Sequence, residues 1–474
     1  MLLLALVISI SMAGVGCKKE KLLTSGGELR FSTDTLTFDT VFTAQGSFTM
    51  SLRIRNPQNQ KVMLSSVKLE KGNTSFFRLN VDGFPGNEVN NIEIAANDSV
   101  YVFATVKIDP NDSNTPFYIE DKLIATLNGN NFSIPVIAYG QNAYYVVDSQ
   151  ISTNQTWLTD KPYVIIHSAQ VMEGSTLTIP AGCRVYMHQD SRLLVDGTLK
   201  VNGTKKDSVV FQGDRLDRAY FGYEGYPGEW GGIYFSSRSK DNVITHAILK
   251  NGGNTALGAA PALIQVNPDS TGGATQLTLD RVTIQNSIGY GLLAFSANVK
   301  IKNSLIHTCG AYALALLRGG NYEVDNSTIV NYGSDKVNHS ENSSGVVVNY
   351  YKNGDVFEIF PLNATLNNCV FYGSLQNELI VDSIWSRGGP CSVTLNHCAL
   401  KIEESKLGGW VQRDAGIIYN RDPLFEKTET EKWNFHVKEG SPLIDKGLPN
   451  PALTIDLDDN PRPVNIIDIG AYER

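Results

Sequence analysis

The sequence predicts an all-β protein with two domains, a β-sandwich followed by a solenoid of short strands. Residues 173–204 contain only brief apolar runs, such as Leu177–Ile179 and Leu199–Val201, which are too short to pair as ordinary hairpins. Similar apolar segments recur along residues 244–400 with a period close to 22 residues. Residues 28–142 instead carry longer alternating runs separated by turn residues, as a sandwich requires.

The composition is that of a soluble globular chain with room for two or three domains in its 474 residues. It carries 40 Lys and Arg against 48 Asp and Glu, and the formal net charge of −8 is spread thinly. No basic patch stands out along the sequence, which argues against nucleic acid and against binding to anionic lipid. The 42 glycines suit a turn-rich, all-β chain.

The N-terminus, "MLLLALVISISMAGVGC" (1–17), is an apolar run too short to span a bilayer, and it predicts a signal peptide. "GVGC" at 14–17 resembles the lipobox of bacterial lipoproteins, although Gly14 stands where that family usually has Leu. The resemblance implies that Cys17 is acylated, that residues 18–27 form a tether, and that the protein is an outer-membrane lipoprotein of the cell envelope. An ordinary secreted protein cut nearby is the alternative.

Five further cysteines are odd in number and widely spaced, which is not the pattern of a disulfide framework or of a zinc site. They are Cys183, Cys309, Cys369, Cys391 and Cys398. Cys369 and Cys398 occupy one position of the repeat described below, so we expect them to stack on neighbouring coils as free thiols.

Residues 28–142 resemble the immunoglobulin-like modules of the abnormal-spindle/hydin type. The likeness is carried by "IRNP" (54–57), Phe77, "NDSVYVFATVKIDP" (97–110) and "IPVIAYG" (134–140). Such modules usually space or present a neighbouring domain, and no residue pattern in this one indicates catalysis. The resemblance therefore implies a spacer.

An apolar six-residue pattern recurs between residues 244 and 400. Its copies are "ITHAIL" (244–249), "LDRVTI" (279–284), "IKNSLI" (301–306), "VDNSTI" (324–329), "LNNCVF" (366–371) and "LNHCAL" (395–400). The first and sixth positions are apolar, the third is polar and the fourth is small or modest. A period near 22 with three short strands per turn is typical of a solenoid whose coils stack at ~4.8 Å.

The repeat resembles the right-handed parallel β-helix of the pectin-lyase-like superfamily, over residues 150–474. At the third position, Asn303, Asn326 and Asn368 are expected to hydrogen-bond from coil to coil as an inward ladder. The second position is expected to face outward, which would stack Lys302 between Asp280 and Asp325 as an ion ladder. A carboxylate pair of an inverting glycosidase is the alternative for the two aspartates.

The tail (about 420–474) resembles the end of many bacterial β-helix proteins, in its "DP.F", "SP.ID.G" and "DIGAYE" motifs. It predicts a cap that covers the end of the solenoid, because an exposed end would present unpaired backbone groups. Asp456, Asp458 and Asn460 have the spacing of half a calcium loop but lack its Gly and distal Glu. Calcium is therefore a secondary prediction, and no other cofactor is expected.

The candidate ligand site is the insertion 212–232, "QGDRLDRAYFGYEGYPGEWGG", which interrupts the repeat and is rich in aromatic and charged residues. Aromatic rings stack on sugars, and Asp and Arg hydrogen-bond hydroxyls. The predicted ligand residues are Asp214, Asp217, Arg218, Tyr220, Tyr223, Tyr226 and Trp230. The alternative is a loop packed against the flank, with its aromatic rings buried.

Together these patterns predict a lipid-anchored envelope protein whose β-helix binds a polysaccharide or cell-surface glycan, or serves as a scaffold, without catalysis. The alternative is a lyase or glycoside hydrolase that degrades polysaccharide. Lyases of this fold generally need a carboxylate cluster for calcium and a Lys or Arg base on one wall. The sequence does not place such a set on adjacent coils, and fold alone does not imply an activity.

Overall fold

The computed structural model describes residues 21–216, 225–254, 260–384, 390–429 and 432–474, except for the side chain of Asn353. The chain divides into two compact units, Met1–Asn142 and Ala143–Arg474. Strands dominate both units, which confirms the predicted all-β class, and the helical elements described are short 3₁₀ turns at Gly72–Thr74 and Glu404–Lys406. Among the described residues, no helix has the length and apolar character needed to cross a membrane.

Within its described residues, 21–142, the first unit contains ten strands, β1 to β10, in chain order. They are Arg30–Phe31, Leu36–Phe42, Met50–Arg55, Val62–Leu69, Phe77–Val81, Phe84–Pro85, Glu88–Ile94, Ser99–Val106, Phe117–Leu127 and Asn130–Gln141. They form two five-stranded sheets, in the orders β1-β3-β8-β5-β6 and β2-β10-β9-β4-β7. Burial alternates along the strands, and the inward side chains of both sheets share one apolar core.

The second unit contains strands β11 to β37. They are Tyr144–Ile151, Gln155–Thr156, Tyr163–Val171, Thr176–Pro180, Arg184–Val195, Thr198–Asn202, Val209–Gly213, Gly232–Phe235, Asn242–Lys250, Ala262–Val266, Leu277–Ser287, Tyr290–Lys302, Leu305–Cys309, Leu314–Asp325, Thr328–Asn331, Gly345–Val348, Tyr350–Asn353, Val356–Ile359, Leu362–Asn367, Val370–Gly373, Leu379–Asp382, Cys391–Asn396, Ala399–Leu400, Gln412–Arg413, Ile418–Tyr419, Phe425–Lys427 and Asn434–Val437.

Strands of this unit pair in parallel with strands about one repeat further along the chain, within a single 23-stranded sheet. Leu177 lies beside Leu199 on the next coil, which is the register that the sequence predicts. The first positions of the six-residue pattern also stack in sequence, from Ile244 to Leu279 and on through Ile301. These inward side chains form one continuous apolar core.

The third position of the pattern is a bend in which every copy has a positive φ. The residues and angles are His246 (45°), Arg281 (56°), Asn303 (45°), Asn326 (44°), Asn368 (53°) and His397 (48°). The left-handed region disfavours most side chains, and Asn tolerates it best after Gly. The predicted ladder joins only two members, since the Asn368 Nδ2 donates to the Asn326 Oδ1 at 3.1 Å. The Asn303 Oδ1 instead accepts from the Arg462 Nε at 3.3 Å.

The second position departs from the outward ion ladder that the sequence predicted. Asp280, Lys302 and Asp325 do stack in register, but Asp325 is only 2% exposed. Its neighbours at the second position on the following coils are amides, which supply hydrogen bonds to the buried carboxylate. The Asn396 Nδ2 donates to the Asn367 Oδ1 at 2.8 Å, and the Asn367 Nδ2 donates to the Asp325 Oδ1 at 2.7 Å. An amide ladder therefore lies at the second position, where it was not predicted.

The fourth position holds small core residues, as expected. Cys369 and Cys398 are free, fully buried thiols on neighbouring coils. Each thiol donates to a backbone carbonyl, the Cys369 Sγ to Val324 at 3.3 Å and the Cys398 Sγ to Leu366 at 3.4 Å. The prediction of stacked free thiols is confirmed.

The tail packs along the flank of the stacked coils, and its described contacts do not match the end cap that the sequence predicted. Phe425, Phe435 and Leu457 join an apolar cluster with outward residues of several coils, among them Leu305 and Val370. Because these outward positions are apolar, they would expose a large hydrophobic patch to water if no other segment covered them. The tail supplies that cover.

Candidate functional site

The predicted ligand insertion is described only in part, because Asp217, Arg218, Tyr220 and Tyr223 lie outside the described residues. Asp214 precedes that gap, and its carboxylate is mostly buried against the imidazole of His188, with 2.6 Å between Oδ2 and Nδ1. The hydrogen bond to Asp214 raises the pKa of His188. Asp214 is therefore already paired with His188, a residue of a neighbouring strand, within the protein.

Trp230 is a core residue and not part of an exposed platform. Its side chain is 0% exposed, and its Nε1 donates to the carbonyl of Lys250 at 2.8 Å. A buried indole whose only polar atom is already bonded cannot stack on a sugar. For Trp230, flank packing is the correct interpretation and ligand binding is wrong.

Gly225, which precedes Tyr226 in the second half of the insertion, lines a small pocket. The Lys336 Nζ lies 5.2 Å from the centroid of the Tyr226 ring, in a cation–π contact. Lys336 belongs to the loop between β25 and β26, so the contact links the insertion to that loop. The pocket between them holds about 70 Å³ and is lined by Gly225, Lys250, Asn251, Gln285, Asn286, His307, Thr308, Ser334, Asp335, Lys336 and Trp433.

Trp433 separates this small pocket from a larger open groove of about 490 Å³. The groove is lined by Tyr332, Gly333, Ser334, Val337, Asn338, His339, Thr428, Glu429 and Trp433. The half-buried indole is nearly parallel to the Phe435 ring, with centroids 5.9 Å apart, and it also stacks on Tyr332 at 6.4 Å. We call Trp433 and the two openings beside it the Trp433 groove. Its volume is within the usual range for small-molecule sites.

The floor of the small pocket contains a neutral histidine. His307 is buried, and burial lowers its pKa to about 3. Its Nε2 is 3.0 Å from the Gln285 Oε1 and its Nδ1 is 2.9 Å from the Thr308 Oγ1. Because Gln285 Oε1 can only accept, Nε2 carries the proton and Nδ1 accepts from the Thr308 hydroxyl. The ring is therefore fixed in one tautomer.

The wall of the large groove is held by a buried carboxylate. Glu378 is 0% exposed, and its oxygens accept from the backbone N–H of Ser344 at 2.8 Å and of Leu375 at 2.7 Å. They also contact the Nε2 of His339 at 3.1 and 3.2 Å. Since His339 and Ser344 belong to the loop between β25 and β26, Glu378 fixes the position of the loop that forms the groove.

A separate opening, of about 600 Å³, lies over strands β22, β24 and β29 and is lined by Glu323, while Asp325 follows two residues later on β24. The Lys300 Nζ is 2.7 Å from the Glu323 Oε2, and this hydrogen bond lowers the pKa of Glu323. Burial raises the pKa of Asp325, and the carboxylate of Glu323 adds to the shift. Two neighbouring carboxyl groups whose pKa values shift in opposite directions can act as a catalytic acid and base. Asp325, however, is too buried to touch a substrate.

The half calcium loop is occupied by protein groups. The Asp456 Oδ1 accepts from the backbone N–H of Asp458 and of Asn460, at 2.8 and 2.7 Å. The carboxylate of Asp458 instead pairs with His436 at 2.7 Å and with Lys205, and the hydrogen bond to His436 lowers its pKa to about 2. The three side chains therefore do not converge on one point, and they fit a turn rather than a calcium ion.

The sequence patterns did not predict that Trp433 and Lys336 belong to a ligand site. Trp433 lies in the tail, which the sequence predicted to be a cap, and Lys336 lies in a long polar loop between two copies of the pattern. A tryptophan within the polar run "KTETEKWNF" is the only signal that could have drawn attention to it.

No family model and no curated protein matches the chain. Among solved structures, it is similar to a family 123 glycoside hydrolase from Clostridium perfringens that hydrolyses glycolipid glycans (12% identity, 26% of each chain, TM-score 0.18). It is also similar to the PapD-like domain 7 of human CEP192 (9% identity, 27% of this chain and 94% of that one, TM-score 0.18). A third similarity is to the catalytic domain of a GH87 α-1,3-glucanase in complex with tetrasaccharides (8% identity, 77% and 91%, TM-score 0.25). The chain spans about a quarter of the family 123 enzyme, and likenesses this distant carry no argument about function.

Proposed function

We propose that the protein is a lipid-anchored component of a bacterial cell envelope that binds a neutral glycan in the Trp433 groove without cleaving it. In this proposal, an immunoglobulin-like spacer domain precedes a right-handed parallel β-helix. The observation that carries the proposal is a half-buried tryptophan between two concave openings lined by amides, hydroxyls and charged groups. Sugar sites combine an aromatic surface with a few fixed polar groups in this way.

The charges that line the groove favour a neutral ligand. Lys250 and Lys336 are balanced by Asp335 and Glu429, so neither sign dominates. The loop that carries Lys336 is held by buried hydrogen bonds to Glu378, so the groove is formed before a ligand arrives. A preformed site loses less conformational entropy on binding.

A glycan array probed with the full chain, followed by titration of the best oligosaccharide, tests the ligand proposal. Trp433→Ala should weaken binding by more than about tenfold, as expected for an aromatic anchor at the centre of a site. Trp410→Ala is the matched control, because Trp410 is also half-buried on the second unit but lies outside the groove. If Trp433→Ala lowers the melting temperature and leaves the affinity unchanged, Trp433 serves packing alone.

The lipid-anchor proposal rests on the leader and on Cys17. Expressed in a bacterial host, Cys17→Ser should move the protein from the detergent-extracted membrane fraction to the soluble fraction. Cys391→Ser, at a half-buried cysteine, is the control. Unchanged partitioning of both variants would contradict acylation at Cys17.

A further inference from the structure

One face of the first unit brings together arginine and aromatic side chains that are far apart in the sequence. It is the outer face of the sheet β1-β3-β8-β5-β6, which we call the arginine face. Its outward residues include Arg30, Arg53, Arg55, Arg78, Phe84, Tyr101 and Phe103. The arginines come from three strands separated by up to 48 positions, so no basic run marks them in the sequence.

The arginine face contains no carboxylate on its strands. Arg30 lies directly opposite Arg55 in the ladder between β1 and β3, and Arg53 lies two residues before Arg55 on β3. Like charges opposite one another destabilise a sheet. Carboxylates occur only at the rim, where Glu28 pairs with Arg30 at 3.0 Å. Among the described residues, no ion pair is formed by Arg53 or Arg55.

The opposite face of the same unit has a different charge pattern. On the sheet β2-β10-β9-β4-β7, lysines are paired with glutamates, as in Lys61–Glu93 at 2.8 Å and Lys122–Glu70 at 3.3 Å. Lys61 and Lys122 are therefore neutralised within the unit. The excess of positive charge is specific to the arginine face, although the whole chain has a formal charge of −8.

Three aromatic side chains stand among the arginines and are exposed to solvent. Tyr101 is 48% exposed, Phe103 is 41% exposed and Phe84 is 60% exposed. The rings of Tyr101 and Phe103 are stacked, with centroids 5.8 Å apart, and the guanidinium of Arg53 lies 5.8 Å from the Tyr101 centroid. Exposed aromatic rings beside unpaired cations on a monomer indicate an interaction surface.

We propose that the arginine face docks on an anionic phospholipid surface. Guanidinium groups bind phosphate well, and exposed aromatic rings favour the interface between headgroups and acyl chains. The face is an open sheet, and a flat bilayer requires no cleft, whereas the openings that fit a glycan lie in the second unit. If Cys17 is acylated, the acyl chains are attached only five residues before Leu22, which pairs with Lys61 of this unit, a span of about 18 Å at most, and this keeps the unit next to the bilayer.

The test uses the full chain with Cys17→Ser, so that an acyl chain cannot cause binding. Co-sedimentation with vesicles of phosphatidylglycerol and phosphatidylcholine should show binding that falls with added salt, and vesicles of phosphatidylcholine alone should show none. Arg53→Gln combined with Arg55→Gln should weaken binding about 25-fold, since each basic residue near an anionic surface contributes about fivefold. Tyr101→Ala should weaken binding without changing its salt dependence.

The matched control is Arg184→Gln combined with Arg238→Gln, which removes the same charge from exposed positions of the second unit. Equal weakening by both pairs, or no binding to the anionic vesicles at low salt, would overturn the proposal. Soluble polygalacturonate is the competitor that distinguishes an acidic glycan from lipid. If it binds the arginine face as tightly as the vesicles do, the face is a glycan site and the membrane assignment is wrong.

Discussion

At the scale of single residues, His307 shows how burial sets the charge of a group in the Trp433 groove. The ring is buried beside Phe435, with centroids 5.0 Å apart, and both ring nitrogens are hydrogen-bonded. A charged imidazolium at this position would lose its hydration, because the ring is almost fully removed from water. Burial therefore holds the ring neutral and lowers its pKa to about 3.

This depressed pKa makes the folded state sensitive to acid. Below the unfolded value of about 6.5, the unfolded chain binds a proton that the folded chain does not, so stability falls as the pH falls towards 3. The loss is about 1.4 kcal/mol per pH unit. Urea unfolding at pH 7.5 and pH 5 should show that His307→Gln loses about 2 kcal/mol less than the wild type over this interval. Identical losses would mean that His307 is not buried neutral.

At the scale of the repeating element, the six-residue pattern combines apolar stacking with a left-handed bend. The apolar positions could be predicted from the sequence because their period sets the register, and the observed pairing of Leu279 with Ile301 follows it. The bend was recognised through its polar residues, but their partners were not. Asn303 and Asn368 bond to residues of the tail, Arg462 and Leu448, which are far away in the sequence.

Asn368 tests the two roles of the bend separately. Its Nδ2 donates to the Leu448 carbonyl at 2.8 Å, and its Oδ1 accepts from the Leu448 N–H at 2.6 Å. Asn368→Gly should cost about 1–3 kcal/mol, because those hydrogen bonds are lost while the bend is tolerated. Asn368→Ala should cost about 1 kcal/mol more, because φ is 53° there. Chemical denaturation measures both, and equal losses would show that the bend is not strained.

The same scale shows why the candidate site was only partly predicted. The insertion was recognised by its length and its aromatic residues, but its one described tryptophan, Trp230, fills the core. The groove uses Trp433 from the tail and Lys336 from a loop, and no period or motif relates these residues. Local sequence patterns report stacking within the repeat, whereas contacts between the tail and the coils depend on tertiary structure. The prediction that Asp325 faces outward was wrong because the sequence pattern did not reveal its hydrogen bond to Asn367 on the next coil.

At the scale of the whole second unit, the tail crosses the flank of the coils that precede it. The Asp459 Oδ1 is 3.1 Å from the His246 Nε2 and 3.6 Å from the Arg281 NH1, on two coils. Arg462 bonds to Asn303 on the next coil, and the Gly470 N–H donates to the carbonyl of Asn368 at 2.8 Å. A segment that contacts several coils couples their unfolding, whereas stacked repeats alone interact only with their neighbours.

The centre of this cover is a buried ion pair, with 2.6 Å between the Arg462 NH1 and the Glu473 Oε2. The same guanidinium donates to the Gly470 carbonyl at 2.9 Å. Arg462→Met should cost about 3–5 kcal/mol, because it leaves the Glu473 carboxylate buried without its partner. Arg413→Met is the control, since Arg413 pairs at 3.6 Å with Glu404, an exposed residue, and should cost less than about 1 kcal/mol. If the tail couples the coils, hydrogen exchange of Arg462→Met should accelerate at Asn303 and Asn326 as well as within residues 456–474. Faster exchange confined to the tail would show that the coils are stable without it.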